Sequence, residues 1–114
     1  MHELSIAMSI LDVVEEEMEN HQANVRAICI RLGPLCGVVK DALCSAFELA
    51  SENTPYATSQ LVFEDAPIVV FCPICDAERP VQSIQHFCCA NCDTPASKVV
   101  GGRELEIVAL ELDE

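Results

Sequence analysis

Cys72-Pro73-Ile74-Cys75 and Cys89-Ala90-Asn91-Cys92 are two Cys-x-x-Cys pairs separated by thirteen residues. Each x-x turn sets its two sulfurs about one tetrahedral edge apart and the spacer closes as a hairpin, so four thiolates can surround one ion. A tetrahedral four-sulfur set without an open position means structural zinc, not catalysis. Few large apolar residues lie in the segment, so ligation would supply much of its folding free energy. Cys88 would give a three-residue gap to Cys92, so the register selects Cys89 and leaves Cys88 spare. His86 could also approach the metal but reads first as an exposed hairpin histidine, and Cys29, Cys36 and Cys44, single and widely spaced, read as small hydrophobes.

On the N-terminal side, Leu4, Ala7, Met8, Leu11, Val14 and Met18 recur at steps of three and four, widened by Ile6, Ile10 and Val13, and predict a helix over residues 4–20. Its last turns carry Glu15, Glu16, Glu17 and Glu19, the wrong sign for a helix C-terminus, and read as a solvated face. Val25 to Leu32 is β-branched and bounded by Asn24 and Gly33-Pro34, which predicts a strand. A second helix is expected from Gly37 to about Ser51, with Val39, Leu43, Ala46, Phe47 and Ala50 on one face. Asn53-Thr54-Pro55 breaks the chain, Ser59 to Glu64 alternates as a strand, and Ile68 to Phe71 leads into the cysteines. Beyond them, Glu104 to Leu112 alternates again, and this last strand must pair with an earlier one to satisfy its backbone.

The expected fold is therefore α+β, with two helices packed on a small mixed β-sheet and an inserted zinc-binding hairpin built on four cysteines. Residues 1–70, completed by the C-terminal strand 99–114, make the main domain, and 71–98 the zinc-binding one.

Composition narrows the function. Among 114 residues, 6 Lys plus Arg face 19 Asp plus Glu, a formal charge of −13 that opposes non-specific nucleic-acid binding. Aromatic residues make only 4% of the chain and include no Trp, so stacking platforms for single strands are poorly supplied. A hydrophobic fraction of 51% excludes disorder despite the acidity. No apolar run is long enough to span a membrane, and the start carries an acid where a signal peptide needs cations, so a cytoplasmic location is expected. That setting favours metal over disulfides for the eight cysteines.

The start Met1-His2-Glu3 offers an α-amine, an imidazole and intervening amide nitrogens that can close chelate rings in a plane, a donor set suited to Ni(II) or Cu(II). Met1-His2-Glu3-Leu4-Ser5, Leu32-Gly33-Pro34-Leu35, the paired Cys-x-x-Cys motifs and Gly102-Arg103-Glu104-Leu105-Glu106-Ile107 together resemble the HypA/HybF family of hydrogenase nickel-incorporation proteins. The resemblance covers essentially the whole chain. It departs from the family at Ala90, where many members have Pro, and at the additional Cys88.

This resemblance implies a nickel metallochaperone for [NiFe]-hydrogenase maturation, with urease as a second destination. Its nickel site would map onto the Met1 amine, the His2 ring and Glu3, and its zinc ligands onto Cys72, Cys75, Cys89 and Cys92. The implied partners are a nickel-binding maturation GTPase and the hydrogenase large-subunit precursor, with neither nucleic acid nor membrane. A zinc-ribbon interaction adaptor without nickel delivery is the alternative. A nucleic-acid-binding ribbon fails because only Arg79 and Lys98 supply cations between Cys72 and Lys98. A dithiol enzyme would need only one pair, and neither pair opens a helix after a strand. Three histidines assemble no set of nucleophile, base and orienter, so a non-enzyme is expected.

Overall fold

Helix α1 (Glu3–Met18), strand β1 (Asn24–Leu32), helix α2 (Lys40–Ser51), strand β2 (Gln60–Asp65), then three short strands β3 (Val69–Cys72), β4 (Ala77–Pro80) and β5 (Val99–Gly101), and finally β6 (Leu105–Asp113) follow in chain order. They come from a computed structural model that describes residues 2–113. The strands form two three-stranded sheets, ordered β2-β1-β6 and β4-β3-β5. The last strand thus finds its partner in β1, as its backbone requires. The chain leaves for the cysteine segment from β2 and returns in β6, the two strands that flank β1.

Helix α1 buries Ala7, Ile10, Leu11, Val14 and Met18. Leu4, Met8 and Val13, part of the expected stripe, are exposed because the buried arc centres on Ala7, Val14 and Met18 and leaves its flanks outside. Helix α2 starts three residues later than expected. Gly37 has φ +80 and Val39 is extended at φ −94, ψ 121, so the chain first becomes helical at Lys40, and Val39 stays exposed. At the other end, Asn53 at φ +63 stops the helix in the left-handed conformation that Asn tolerates.

The chain divides into two compact units. The first comprises residues 1–30, 37–63 and 107–114. Its core joins the buried face of α1 to Val25, Ile28 and Ile30 of β1 and to Leu43, Phe47 and Tyr56, with Leu61, Phe63, Ile107, Leu110 and Leu112 packed against it. Burying a side chain such as Ile28 or Leu43 contributes about 1.5–3 kcal/mol. Buried Ser59 is satisfied, its hydroxyl donating to the Val25 carbonyl at 2.6 Å.

The second unit takes Arg31–Cys36 and Glu64–Glu106, a wider span than the cysteine segment alone. Here β3 pairs antiparallel with β4, Cys72 facing Ala77 and Val70 facing Arg79, and antiparallel with β5 on its other side. Gly33 donates to the Glu104 carbonyl at 2.8 Å and Leu35 to the Gly102 carbonyl at 2.7 Å. This approach is close enough that a Cβ on Gly33 would overlap the Gly102 carbonyl.

Candidate metal centre

Strand β3 delivers Cys72 to its end, and the turn that leads into β4 carries Cys75. Asp76, at φ +52, allows that turn to close on the short hairpin. The second pair is shaped in the same way. Cys89 bridges to Val81, its N–H donates to the Thr94 carbonyl at 2.8 Å, and Asp93, at φ +64, donates back to the Cys89 carbonyl at 2.9 Å.

These turns bring Cys72, Cys75, Cys89 and Cys92 together, with every pair of sulfurs within 4.8 Å. Cys72 Sγ lies 3.4 Å from Cys92 Sγ, and Cys75 Sγ lies 3.9 Å from Cys89 Sγ. Zinc–sulfur bonds of about 2.3 Å in a tetrahedron require edges of about 3.8 Å, so the cage already has the dimensions zinc needs. The sulfurs are far beyond disulfide length. Cys72 and Cys89 are buried, Cys75 is half-buried and Cys92 is exposed.

Polar groups around the cage are arranged for thiolates. The Thr94 hydroxyl, 3.0 Å from Cys92 Sγ, together with the Thr94 N–H, holds that thiol down at about 6. Asn91 Nδ2 donates to Cys75 Sγ at 3.3 Å and, with Arg79, lowers Cys75. Cys72 accepts the Cys75 N–H at 3.4 Å, which pulls it down, but burial and the neighbouring thiols of Cys92 and Cys89 carry it up. The Asn91 N–H donates to Cys89 Sγ at 3.4 Å. Arg79 Nε is buried and finds no hydrogen-bond partner among the described residues, which leaves a cation beside a cage that carries net negative charge when metal is bound. Four soft sulfur donors, edges of the right length and N–H groups aimed at sulfur fit zinc.

Cys88 and His86 stand outside this cage and form a second group with Asp93. Sequence reasoning did not single out Thr94, Asn91 or Asp93, whose roles depend on turn geometry that spacing does not reveal.

At the other end of the chain, His2 occupies the N-cap position of α1, is exposed, and makes no side-chain capping bond; its carbonyl accepts from the Ile6 N–H at 3.1 Å. Glu3 opens the first turn. Met1 lies outside the described residues, and among those described His2 and Glu3 belong to no group of three clustered ligands.

A helix-and-sheet unit, and a second unit that carries a four-thiolate cage, define a metal-handling protein. The family model described as hydrogenase/urease nickel incorporation, metallochaperone, hypA, matches residues 1–112. The hydrogenase maturation factor HypA of Chloroflexus aurantiacus is 46% identical over 112 residues, covering 97% of this chain and 98% of that protein. The factor of the same description from Roseiflexus is 37% identical, covering 100% and 94%. The solution structure of the Ni metallochaperone HypA from Helicobacter pylori shares the fold at TM-score 0.69 and 23% identity, over 98% of this chain and 97% of that one. This chain belongs to the HypA family of hydrogenase nickel-incorporation metallochaperones, the family its motifs resemble. Among the described residues, no helix is long and apolar enough to cross a membrane.

Proposed function

We propose that the chain carries Ni(II) at its N-terminus through the Met1 amine, the His2 ring and Glu3, and passes it on during [NiFe]-hydrogenase maturation, with urease as a second destination. It works in the cytoplasm with a nickel-binding GTPase and docks on the hydrogenase large-subunit precursor. The observation that carries this reading is the family match over residues 1–112, which includes the Met-His-Glu start. The exposed His2 ring, unused in capping, supports it. An accessible set of nitrogen donors suits a cargo that must leave again, whereas a closed thiolate cage does not.

In the same reading, Cys72, Cys75, Cys89 and Cys92 hold a resident structural zinc on the 71–98 segment. Nickel belongs to the 1–70 segment completed by 99–114. Bound zinc would contribute a rigid cross-link between the two turns; Asn91, Thr94 and Arg79 orient the sulfurs and offset their charge.

Calorimetric titration with Ni(II) of the zinc-loaded chain tests the nickel site. His2→Ala is expected to abolish tight binding with the melting temperature nearly unchanged, since a terminal residue ahead of a helix buries little. Wild-type affinity in that variant would eliminate the site. Adding one Gly before Met1 converts the amine to an amide and is expected to weaken binding and change the d-d absorption. Unchanged affinity and spectrum in that form would remove the amine from the ligand set.

A further inference from the structure

We propose that His86, Cys88 and Asp93 form a second transition-metal site, separate from the four-cysteine cage, that takes one borderline divalent ion of the Co(II), Ni(II), Zn(II) group through an imidazole nitrogen, a thiolate and a carboxylate oxygen. The three donor atoms lie within 4.8 Å of one another. His86 Nε2 is 2.6 Å from Asp93 Oδ1, and Gln82 Nε2 donates to that same oxygen at 2.6 Å.

Backbone bonds, not the side chains themselves, hold the three residues in place. The His86 N–H donates to Ser83 Oγ at 2.8 Å, the Ser83 N–H returns to the His86 carbonyl at 3.2 Å, and Cys88 donates to that carbonyl at 2.8 Å, which fixes a tight turn. Cys88 is anchored on both sides, by its bridge to Pro95 and by the Gln82 N–H on its carbonyl at 2.9 Å. Asp93 is fixed by its left-handed backbone and its bond to the Cys89 carbonyl.

A simple surface pair between His86 and Asp93 accounts for two of these residues and leaves the thiol without a role. A metal site uses all three. Borderline ions accept imidazole, thiolate and carboxylate together, and three protein ligands leave a position for water. The contact of 2.6 Å between nitrogen and oxygen must open to an edge of about 3.3 Å around an ion, a small displacement for two exposed side chains. Gln82 would remain on the carboxylate as its orienting donor. His86 and Asp93 are exposed and Cys88 is half-buried, so an ion enters and leaves from solvent.

Co(II) is the probe, titrated under reducing, anaerobic conditions into the full chain that already holds one zinc and carries His2→Ala to silence the N-terminus. The expected result is a thiolate-to-cobalt charge-transfer band that saturates at one equivalent while zinc content stays constant. The band is expected to vanish in Cys88→Ser, and Ni(II) is expected to compete for it. His86→Ala and Asp93→Asn, at exposed positions, are each expected to weaken Co(II) binding by about tenfold or more, and they decide the matter if Cys88→Ser loses zinc. Absence of the band, a band that grows only as zinc is released, or binding unchanged in His86→Ala and Asp93→Asn would overturn the site.

Discussion

Thr94 shows how one hydroxyl can set the behaviour of a ligand it does not replace. It touches Cys92, the exposed sulfur of the cage, and favours the thiolate over the thiol. Thr94→Val keeps the shape and removes the donor. It is expected to weaken zinc about tenfold in competition with a chromophoric chelator at neutral pH, the scale typical of lost outer hydrogen bonds; equal affinity would show that the hydroxyl is a bystander. The four cysteines were legible from paired spacing alone, because spacing is the constraint that ligation imposes. Thr94 and Asn91 were not, since each reaches sulfur only through a turn whose geometry depends on Asp93 at φ +64.

At the level of strands, β1 carries two arginines flanked by acids. Arg26 meets Glu111 at 2.7 Å and Asp113 at 3.4 Å, and Arg31 meets Glu64 at 2.9 Å and Glu106 at 3.3 Å. The Arg26 side chain holds the Glu111 carboxyl below its usual range, with help from Cys29. A carboxyl so depressed adds stability above its unfolded pKa and loses it as pH falls through the folded value. Glu111→Gln is therefore expected to be slightly less stable than wild type at neutral pH, with the gap closing in acid and shrinking in high salt, as thermal melts across pH will show. A gap that widened in acid would reverse the assignment.

Gly33 belongs to this scale too. Its Cβ-free backbone admits the Gly102 carbonyl, so Gly33→Ala is expected to cost about 1–3 kcal/mol in urea unfolding, and a neutral outcome would mean that the two segments separate easily. The order of α1, β1, α2, β2, β3 and β6 was readable from the sequence because hydrophobic period and turn residues agree there, whereas β4 and β5, four and three residues long around the cysteines, carry too short a pattern to read. The start of α2 was not readable either, since Gly37-Val38-Val39 continues the apolar pattern while Gly37 sits at φ +80 and Val39 is extended.

For the whole molecule, the two units differ in what holds them. The first has an apolar core drawn from both helices and strands β1, β2 and β6. In the second, the fully buried side chains with less than 2% exposure are Val70 and Cys89, so a metal cross-link has more to supply there. Removing zinc with a strong chelator is expected to erase amide protection through β3, β4 and β5 while α1, α2 and residues 25–30 keep theirs, read by hydrogen exchange. Simultaneous loss everywhere would show that the units unfold as one.

The pairing of Gly33 and Leu35 with Glu104 and Gly102 also bears on how the chain matures on the ribosome. The cysteine hairpin is local and can close once Cys92 has emerged. The donors at Gly33 and Leu35 have no acceptors until Gly102 and Glu104 have been made, well after Cys92. Strand β1 waits equally long for β6. Contacts so distant in sequence form slowly because loop closure comes before their reward. A nascent chain therefore holds its metal-binding turn before its central sheet is complete, with β1 left open on one side until Leu105–Asp113 arrive.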